Sequence, residues 1–454
     1  MRLKSVAVLS FEWTDPSLPK IVRESRARYK RISEVLDANP AVLGLVHGDL
    51  AKLSSRNRKG RKADYTSENI LRTLVVMSIE GLPLRETVVL IGNSPFLQDF
   101  VRLEKRGTMD FTFLDKCLCA LRPETWKAMN EALGRRAVEQ GLVDPSVVRA
   151  DTTVVETNIH YPTDASLLWD TWRVAARVLE RARAYWPASC PHRFHSRKIK
   201  ALHLFVTRYS SSRSKARQRK VRSSFRTLIA RVGWMLEVVR EFVAFAREHG
   251  DIELRALAAE LKGYVPAMER VVEVAHRVHV EGETVPARER VFSIFEVHTE
   301  LIKRGKRSTP VEFGHMVWLA QSPEKFITDY AVMDERKPDS ELAEPVVARH
   351  KALYGVVPAV LAADKGFSPC AEKRAELEAT VETLAIPRRT ADFADVVMKG
   401  WQWFRAGIEG TISALKRAFR LSRCLFRGFR HFAAGVGLSI FGHNLLILAD
   451  QAPG

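Results

Sequence analysis

The chain has 454 residues and a formal charge of +19, with 72 Lys and Arg against 53 Asp and Glu. At 46% hydrophobic and 28% charged residues it has an ordinary globular composition, which excludes a low-complexity chain and allows about two to four domains. The excess of positive charge implies a polyanionic partner, either nucleic acid or an acidic membrane surface. No segment is read as approaching about 18 uncharged apolar residues, so a membrane-spanning helix is not expected. The apolar N-terminal stretch meets Glu12 and Asp15 too early for a signal peptide. Nucleic acid in the cytoplasm, without a membrane, is therefore the expected setting.

Residues 1–62 read as a helical, basic segment: 20–31 hold six bases and one acid, and RNRKGRK at 56–62 is a basic linker that either touches phosphate or is a solvated surface. Residues 63–142 read as a helical domain. Ser67 is a candidate cap, Ile70, Leu71, Leu74 and Met77 form a stripe ending at Gly81, and a second helix carries Val88, Val89 and Ile91 before the turn at 92–95. This suits a helix-turn-helix DNA reader or a plain bundle. Residues 143–168 read as the start of a strand-containing core. SVVRAD at 146–151 is an apolar run ending in Asp151, and a helical period starts at Leu167.

Residues 169–285 read as an all-helical insertion. Within it, 193–226 contain twelve Lys or Arg and no Asp or Glu, interleaved with Phe194, Phe205, Tyr209 and Phe225. Like charges at that density repel within a Debye length, and a polyphosphate partner relieves the repulsion. Arg213, Lys215, Arg217, Arg219 and Lys220 are the candidate contacts.

Residues 286–454 return to the core. Strands are expected at 293–298, 313–319 and 326–333, a helix at 343–354, a strand running into Asp364, a helix at 371–380, a strand at 382–387, the basic loop Arg388-Arg389, and helices at 401–421 and 432–448. This alternation argues an α/β fold with a mixed or parallel sheet. Five scattered cysteines (Cys117, Cys119, Cys190, Cys370, Cys424) lack zinc-site spacing and read as reduced, structural thiols.

WQWFRAGIEGTISALKRAFRL at 401–421 carries the most information. Trp401, Phe404, Ile408, Ile412, Leu415 and Phe419 recur at three and four, a single apolar stripe. Arg405, Glu409 and Lys416 fall along one edge of it. An acid between two bases at a core border can hold a metal ion against a phosphate. Asp151 and Asp364 each end an apolar run, as at the ends of buried strands, where ligands of open α/β sheets collect. Three converging acids can bind two hard cations. Taken singly, each reads as well as a turn cap or a surface ion pair. Glu156, Asp164, Asp170 and His160 are nearby competitors, Thr152 and Thr153 are candidates to orient Asp151, and His160 and His315 read as structural.

These motifs resemble the DDE-type insertion-sequence transposases, with a ribonuclease-H-like core, and the resemblance covers most of the chain. RADTT around Asp151 matches the first-strand acid, and Asp364-Lys-Gly-Phe matches the second acid before its Gly-aromatic pair. Arg405, Glu409 and Lys416 match a late-helix Tyr-x2-Arg-x3-Glu-x6-Lys signature in which Gln402 replaces the Tyr, flanked by Trp401 and Trp403. DTTVVETNIHYPTDASLLWD from Asp151 is similar to the bacterial group filed as "not classified yet", and residues 63–102 to the N-terminal domain of related transposases. Asp364 follows Asp151 by 213 residues, room for the helical insertion, and Glu409 follows Asp364 by 45.

The resemblance implies two Mg²⁺ ions, replaceable by Mn²⁺, on Asp151, Asp364 and Glu409, with Asp151 bridging both. It implies cleavage and strand transfer of double-stranded DNA at terminal inverted repeats and target sites, by a dimer or larger complex on DNA. Arg405, Lys416, Trp403, Arg388 and Arg389 are expected to contact that DNA. A regulator whose core no longer cuts, or a host nuclease of the same fold, would share these features.

Overall fold

The computed structural model describes residues 2–5, 13, 15–53, 63–104, 106–303, 310–388 and 396–451. The linker at 56–62 and Arg389 lie outside the described residues. The chain forms two compact units, Met1–Glu156 with His315–Gly454, and Thr157–Gly314. The helical insertion read at 169–285 falls inside the second unit, whose ends are at 157 and 314. The segments read as 1–62 and 63–142 fall inside the first.

In the first unit the helices Lys20–Asp37, Pro40–Leu50, Ser67–Ile79, Leu84–Asn93, Pro95–Phe100, Phe111–Ala120 and Pro123–Glu139 precede the sheet. Ser67–Ile79 is buried at every position from Ser67 to Ser78, the pattern of a central bundle helix. Its cap is Thr66 rather than Ser67: Thr66 Oγ1 accepts from Asn69 N–H and Asn69 Oδ1 accepts from Thr66 N–H. Arg72 crosses this bundle with each end engaged, Nε on Glu68 (3.0 Å), Nη1 on Ser33 (2.9 Å) and Nη2 on Asp37 (2.7 Å).

The last helix, Phe429–Gln451, closes the same apolar core, which includes Leu74, Phe100, Trp126, Phe441 and Leu445. Its length and composition would suffice to cross a membrane. Gly, Ser, His and Asn interrupt it, so it holds no strictly apolar run, although it is largely uncharged. Packing settles its place. Residues 434–445 are buried among protein side chains, and Asn444, at 0% exposure, pairs with backbone as a neighbouring strand would. Asn444 Oδ1 accepts from Ile327 N–H (2.9 Å), and its Nδ2 donates to Ile327 O (3.0 Å) and Asn130 Oδ1 (3.1 Å).

Among the described residues seven strands form one mixed sheet: β1 (Val147–Thr157), β2 (Glu300–Lys303), β3 (Val311–Gln321), β4 (Ile327–Val332), β5 (Val360–Ala362), β6 (Thr383–Ala385) and β7 (Arg423–Cys424). The order is β2-β3-β1-β5-β6, with β4 beside β3 and β7 beside β1. β1, β5 and β6 run parallel, while β2–β3 and β3–β4 are antiparallel. The mixed α/β class expected from the strand–helix alternation is therefore present. The strand expected at 293–298 is not: Ser293 Oγ accepts from the N–H groups of Phe295 and Glu296 (3.1 Å each), and this local turn competes with a ladder.

The second unit is mainly helical and also holds β2 and the start of β3. Asp164–Tyr185, Ser196–Tyr209, Lys215–His249 and Ile252–His276 enclose a core that includes Trp172, Leu179, Leu228, Met235, Phe242, Leu261 and Met268. The two long helices meet at Gly250, whose φ of 72° suits glycine, and Asp251 caps the second by accepting from Leu254 N–H (2.9 Å).

Replacing Asn444 by Leu leaves both polar groups of Ile327 buried without their partner. A loss of about 2–4 kcal/mol in chemical unfolding is expected, and an unchanged midpoint would show that the pairing contributes nothing.

Candidate active site

The register of β1 on β5 pairs Val147 with Val360 and Arg149 with Ala362. Carried two residues further, the same offset brings Asp151 level with Asp364, and neighbouring strands lie about 4.8 Å apart. Paired residues of parallel strands share a face, so Asp364, just past the carboxyl end of β5, falls on the same side as Asp151, which does not end its strand as expected but lies inside β1, since that strand runs on to Thr157.

Asp364 turns back on its own chain. Its Oδ1 accepts from Gly366 N–H (2.9 Å) and Phe367 N–H (3.3 Å), capping the turn Lys365–Phe367. A Cβ on residue 366 would stand 3.0 Å from that oxygen, so any side chain there would press on the Asp364 carboxylate.

Asp151 is far more enclosed than Glu409, its side chain 15% exposed. Oδ1 accepts from Thr152 N–H (2.7 Å), and Oδ2 lies 3.5 Å from Arg405 Nη1. Burial pushes its pKa from the ordinary 3.8 up to about 6; the Thr152 N–H and Arg405 oppose the rise, and the negative charges of Asp364 and Glu409 add to it. Asp151 thus feels both other acids of the expected triplet. Thr152 orients it through its backbone, while Thr153 Oγ1 is buried with no partner among the described residues.

Glu409 belongs to the helix Val396–Ala418. The stripe predicted there is the buried side: Ile408 and Leu415 are fully buried, and Ile412 packs on the same cluster. Glu409 lies outside it, 64% exposed, 3.2 Å from Arg405 Nη1, which thereby bridges Glu409 and Asp151.

Residues that sequence reasoning did not single out fasten this helix to the sheet. Arg149 on β1 is buried and donates from Nε to Gln321 Oε1 (2.7 Å) and from Nη1 to Phe404 O (2.7 Å), its guanidinium 4.8 Å from the Phe404 ring centroid. Gln321 on β3 passes the link on, Nε2 to Thr411 Oγ1 (2.8 Å). A Cβ on Gly407 would collide with Arg149 Nη1, so the close approach requires glycine. Gln402, the departure from the Tyr signature, donates to Ala363 O (3.3 Å) and Ala385 O (3.1 Å), just past β5 and at the end of β6.

The competing acids are engaged elsewhere. Glu156 pairs with Arg423 (2.6 Å), Asp164 with His279 (2.8 Å) and Arg290 (3.2 Å), and Asp170 with Arg173 (2.7 Å) and His160 (3.4 Å). His315 Nδ1 lies 3.0 Å from Met333 O, a structural contact. None of the five cysteines forms a disulfide.

Of the candidate DNA contacts in the first unit, Trp403 is 83% exposed, Lys416 is half-buried on the helix carrying Glu409, and Arg388 leans on Glu378 (3.4 Å). In the second unit Arg213, Lys215, Arg217, Arg219 and Lys220 are all exposed, with Arg217 over Tyr209 and Lys220 over Phe205.

Among the described residues no three His, Cys, Asp or Glu side chains make a ready metal cage. The donor chemistry of Asp151, Asp364 and Glu409 nevertheless fits a hard divalent cation, since all their ligand atoms are carboxylate oxygens.

Comparison with protein-family models, with curated proteins and with solved structures found no match.

Because folding raises the pKa of Asp151, the folded protein binds a proton that the unfolded chain has released between 3.8 and about 6. Stability from this group is thus lost as pH rises through that window. In chelator, Asp151→Asn should stabilise the protein above about pH 6, by at most about 3 kcal/mol, and the gain should vanish below pH 3.8. Thermal unfolding across that range checks it; a gain independent of pH would contradict the burial argument.

Proposed function

We propose that the protein is a DDE-type transposase with a ribonuclease-H-like core, which cuts and joins DNA by phosphodiester hydrolysis and transesterification. The observation that carries this reading is the meeting of three acids at Asp151: one across a parallel strand pair, one on a late helix, each electrostatically coupled to it. Acids grouped so, one inside a central strand, one just past the end of its parallel neighbour and one on a helix packed against them, suit metal-assisted phosphoryl transfer better than folding.

Asp151, Asp364 and Glu409 would hold two Mg²⁺ ions, or Mn²⁺ in their place. Bound there, such ions make a water or a 3′-hydroxyl more acidic and offset charge on the leaving oxygen. The chain's own residues do the rest. Arg405 and Lys416 meet phosphate oxygens beside the acids, Arg405 with a planar fork and Lys416 as a point charge. Trp403 presents an exposed ring on the same helix, a stacking surface for an unpaired base. Arg149 and Gln402 keep that helix against the strand ends.

The partner in this reading is double-stranded DNA, the terminal inverted repeats of a mobile element and its target, bound by two or more copies of the chain. The setting is the bacterial cytoplasm, at the nucleoid. Arg213, Lys215, Arg217, Arg219 and Lys220 give the second unit a phosphate-binding surface that needs no base sequence.

Asp151→Asn, Asp364→Asn and Glu409→Gln should each lower metal-dependent cleavage of DNA carrying the repeats by more than about 100-fold, the upper range for residues that merely support a metal site. Binding to that DNA should survive. A single variant that still cuts overturns the reading; binding without cleavage by the native chain would indicate a regulator, and cleavage without joining or preference for the repeats a nuclease.

Neutralising the five bases at 213–220 together should weaken DNA binding without regard to sequence. The slope of log K on log salt should fall by about 0.9 for each phosphate no longer neutralised. An unchanged slope removes this surface from the interface.

A further inference from the structure

We propose that Arg405 is a built-in counter-ion, holding the acids together before a metal arrives and released to the DNA backbone when one binds. This rests on the metal-site reading above and deepens it. One nitrogen, Nη1, serves both Asp151 Oδ2 (3.5 Å) and Glu409 Oε1 (3.2 Å), so the guanidinium stands in the charge position that a cation shared by those carboxylates would claim.

Its hold is partial. Arg405 Nε is buried and has no hydrogen-bond partner among the described residues. Two other arginines of this unit show what a settled guanidinium looks like here. Arg72 spends three nitrogens on Glu68, Ser33 and Asp37, and Arg149 spends Nε and Nη1 on Gln321 and Phe404 O. Both are clamped from more than one side. Among the described residues Arg405 is tied to the two carboxylates alone, at the long end of ion-pair distances. Its side chain is 19% exposed and Glu409 is 64% exposed, so the pair borders solvent. A planar fork with unspent donors at such an edge is also the group best shaped for two phosphate oxygens.

The cation and the guanidinium therefore compete for the same oxygens. A cation that takes Asp151 and Glu409 frees the fork, and a phosphate that takes the fork frees the oxygens. Metal and DNA backbone then favour each other's binding through this one side chain, and by linkage the effect is equal in both directions.

The test is Mn²⁺ binding to the metal-free full-length protein without DNA, followed by loss of the aqueous Mn²⁺ paramagnetic resonance signal. Arg405→Gln removes the competing charge while keeping length and polarity, and should tighten Mn²⁺ binding by about fivefold or more. Arg405→Lys keeps a charge and should stay near the native value. A purely structural arginine would give the opposite result, since its loss loosens the site. Equal or weaker Mn²⁺ binding by Arg405→Gln overturns the proposal and leaves the two-metal reading to its own cleavage test. Adding Asp151→Asn to Arg405→Gln should abolish the gain; a gain that persists shows Mn²⁺ bound elsewhere and overturns the proposal as well.

Discussion

The candidate site depends on how one helix is fastened to one strand. Glu409 stands beside Asp151 because Arg149, two residues before Asp151, grips the backbone of the helix Val396–Ala418 at Phe404 and reaches Thr411 through Gln321. A charged group buried with neutral acceptors is costly to desolvate. The cost is offset only while each bond is made, and Gly407 is what lets the helix come close enough to make them. Gln402 adds a second fastening at the strand ends. The helix thus has little freedom to roll, and the acid it carries inherits that restriction.

Charge does two different jobs in this chain. In the first unit part of it is reciprocated around the buried Arg72, Glu68 and Asp329. Arg72 and Arg102 share Glu68 and Asp37, while Lys127 and Arg349 share Asp329. Such clusters lock particular helices together, because removing any member strands its partner in a low dielectric. In the second unit the bases at 213–220 are exposed and lie in a stretch without acids. The net charge of +19 is therefore mostly a surface property, felt by a partner rather than by the fold.

What the sequence disclosed follows from which interactions leave a periodic trace. The apolar runs ending in Asp151 and Asp364 and the stripe through Ile408 and Leu415 are local patterns, and both acids and the helix edge were legible from them. Arg149 was visible only as the letter before Ala-Asp, since its partners are 172 and 255 residues away and pairing at that range leaves no spacing. Gln402 read as a missing tyrosine, and its bonds to two strand ends could be found only once those ends were side by side. Ser293 misled because its hydroxyl builds a turn inside residues with strand-like side chains. The helix Phe429–Gln451 shows the complementary limit: composition describes a segment, and burial among neighbours decides its environment.

That helix has a consequence for how the chain is made. Its apolar face completes the core of helices that begin at Lys20, and Arg31 Nε bonds to Ala449 O across 418 positions. During synthesis the early helices must wait, with their greasy sides unburied, until the helix Phe429–Gln451 emerges. Closing so long a loop is slow and leaves sticky intermediates exposed. A ribosome that stalls late would therefore release a fragment prone to clump or be degraded, and the cell would rarely hold a folded but shortened version of the first unit.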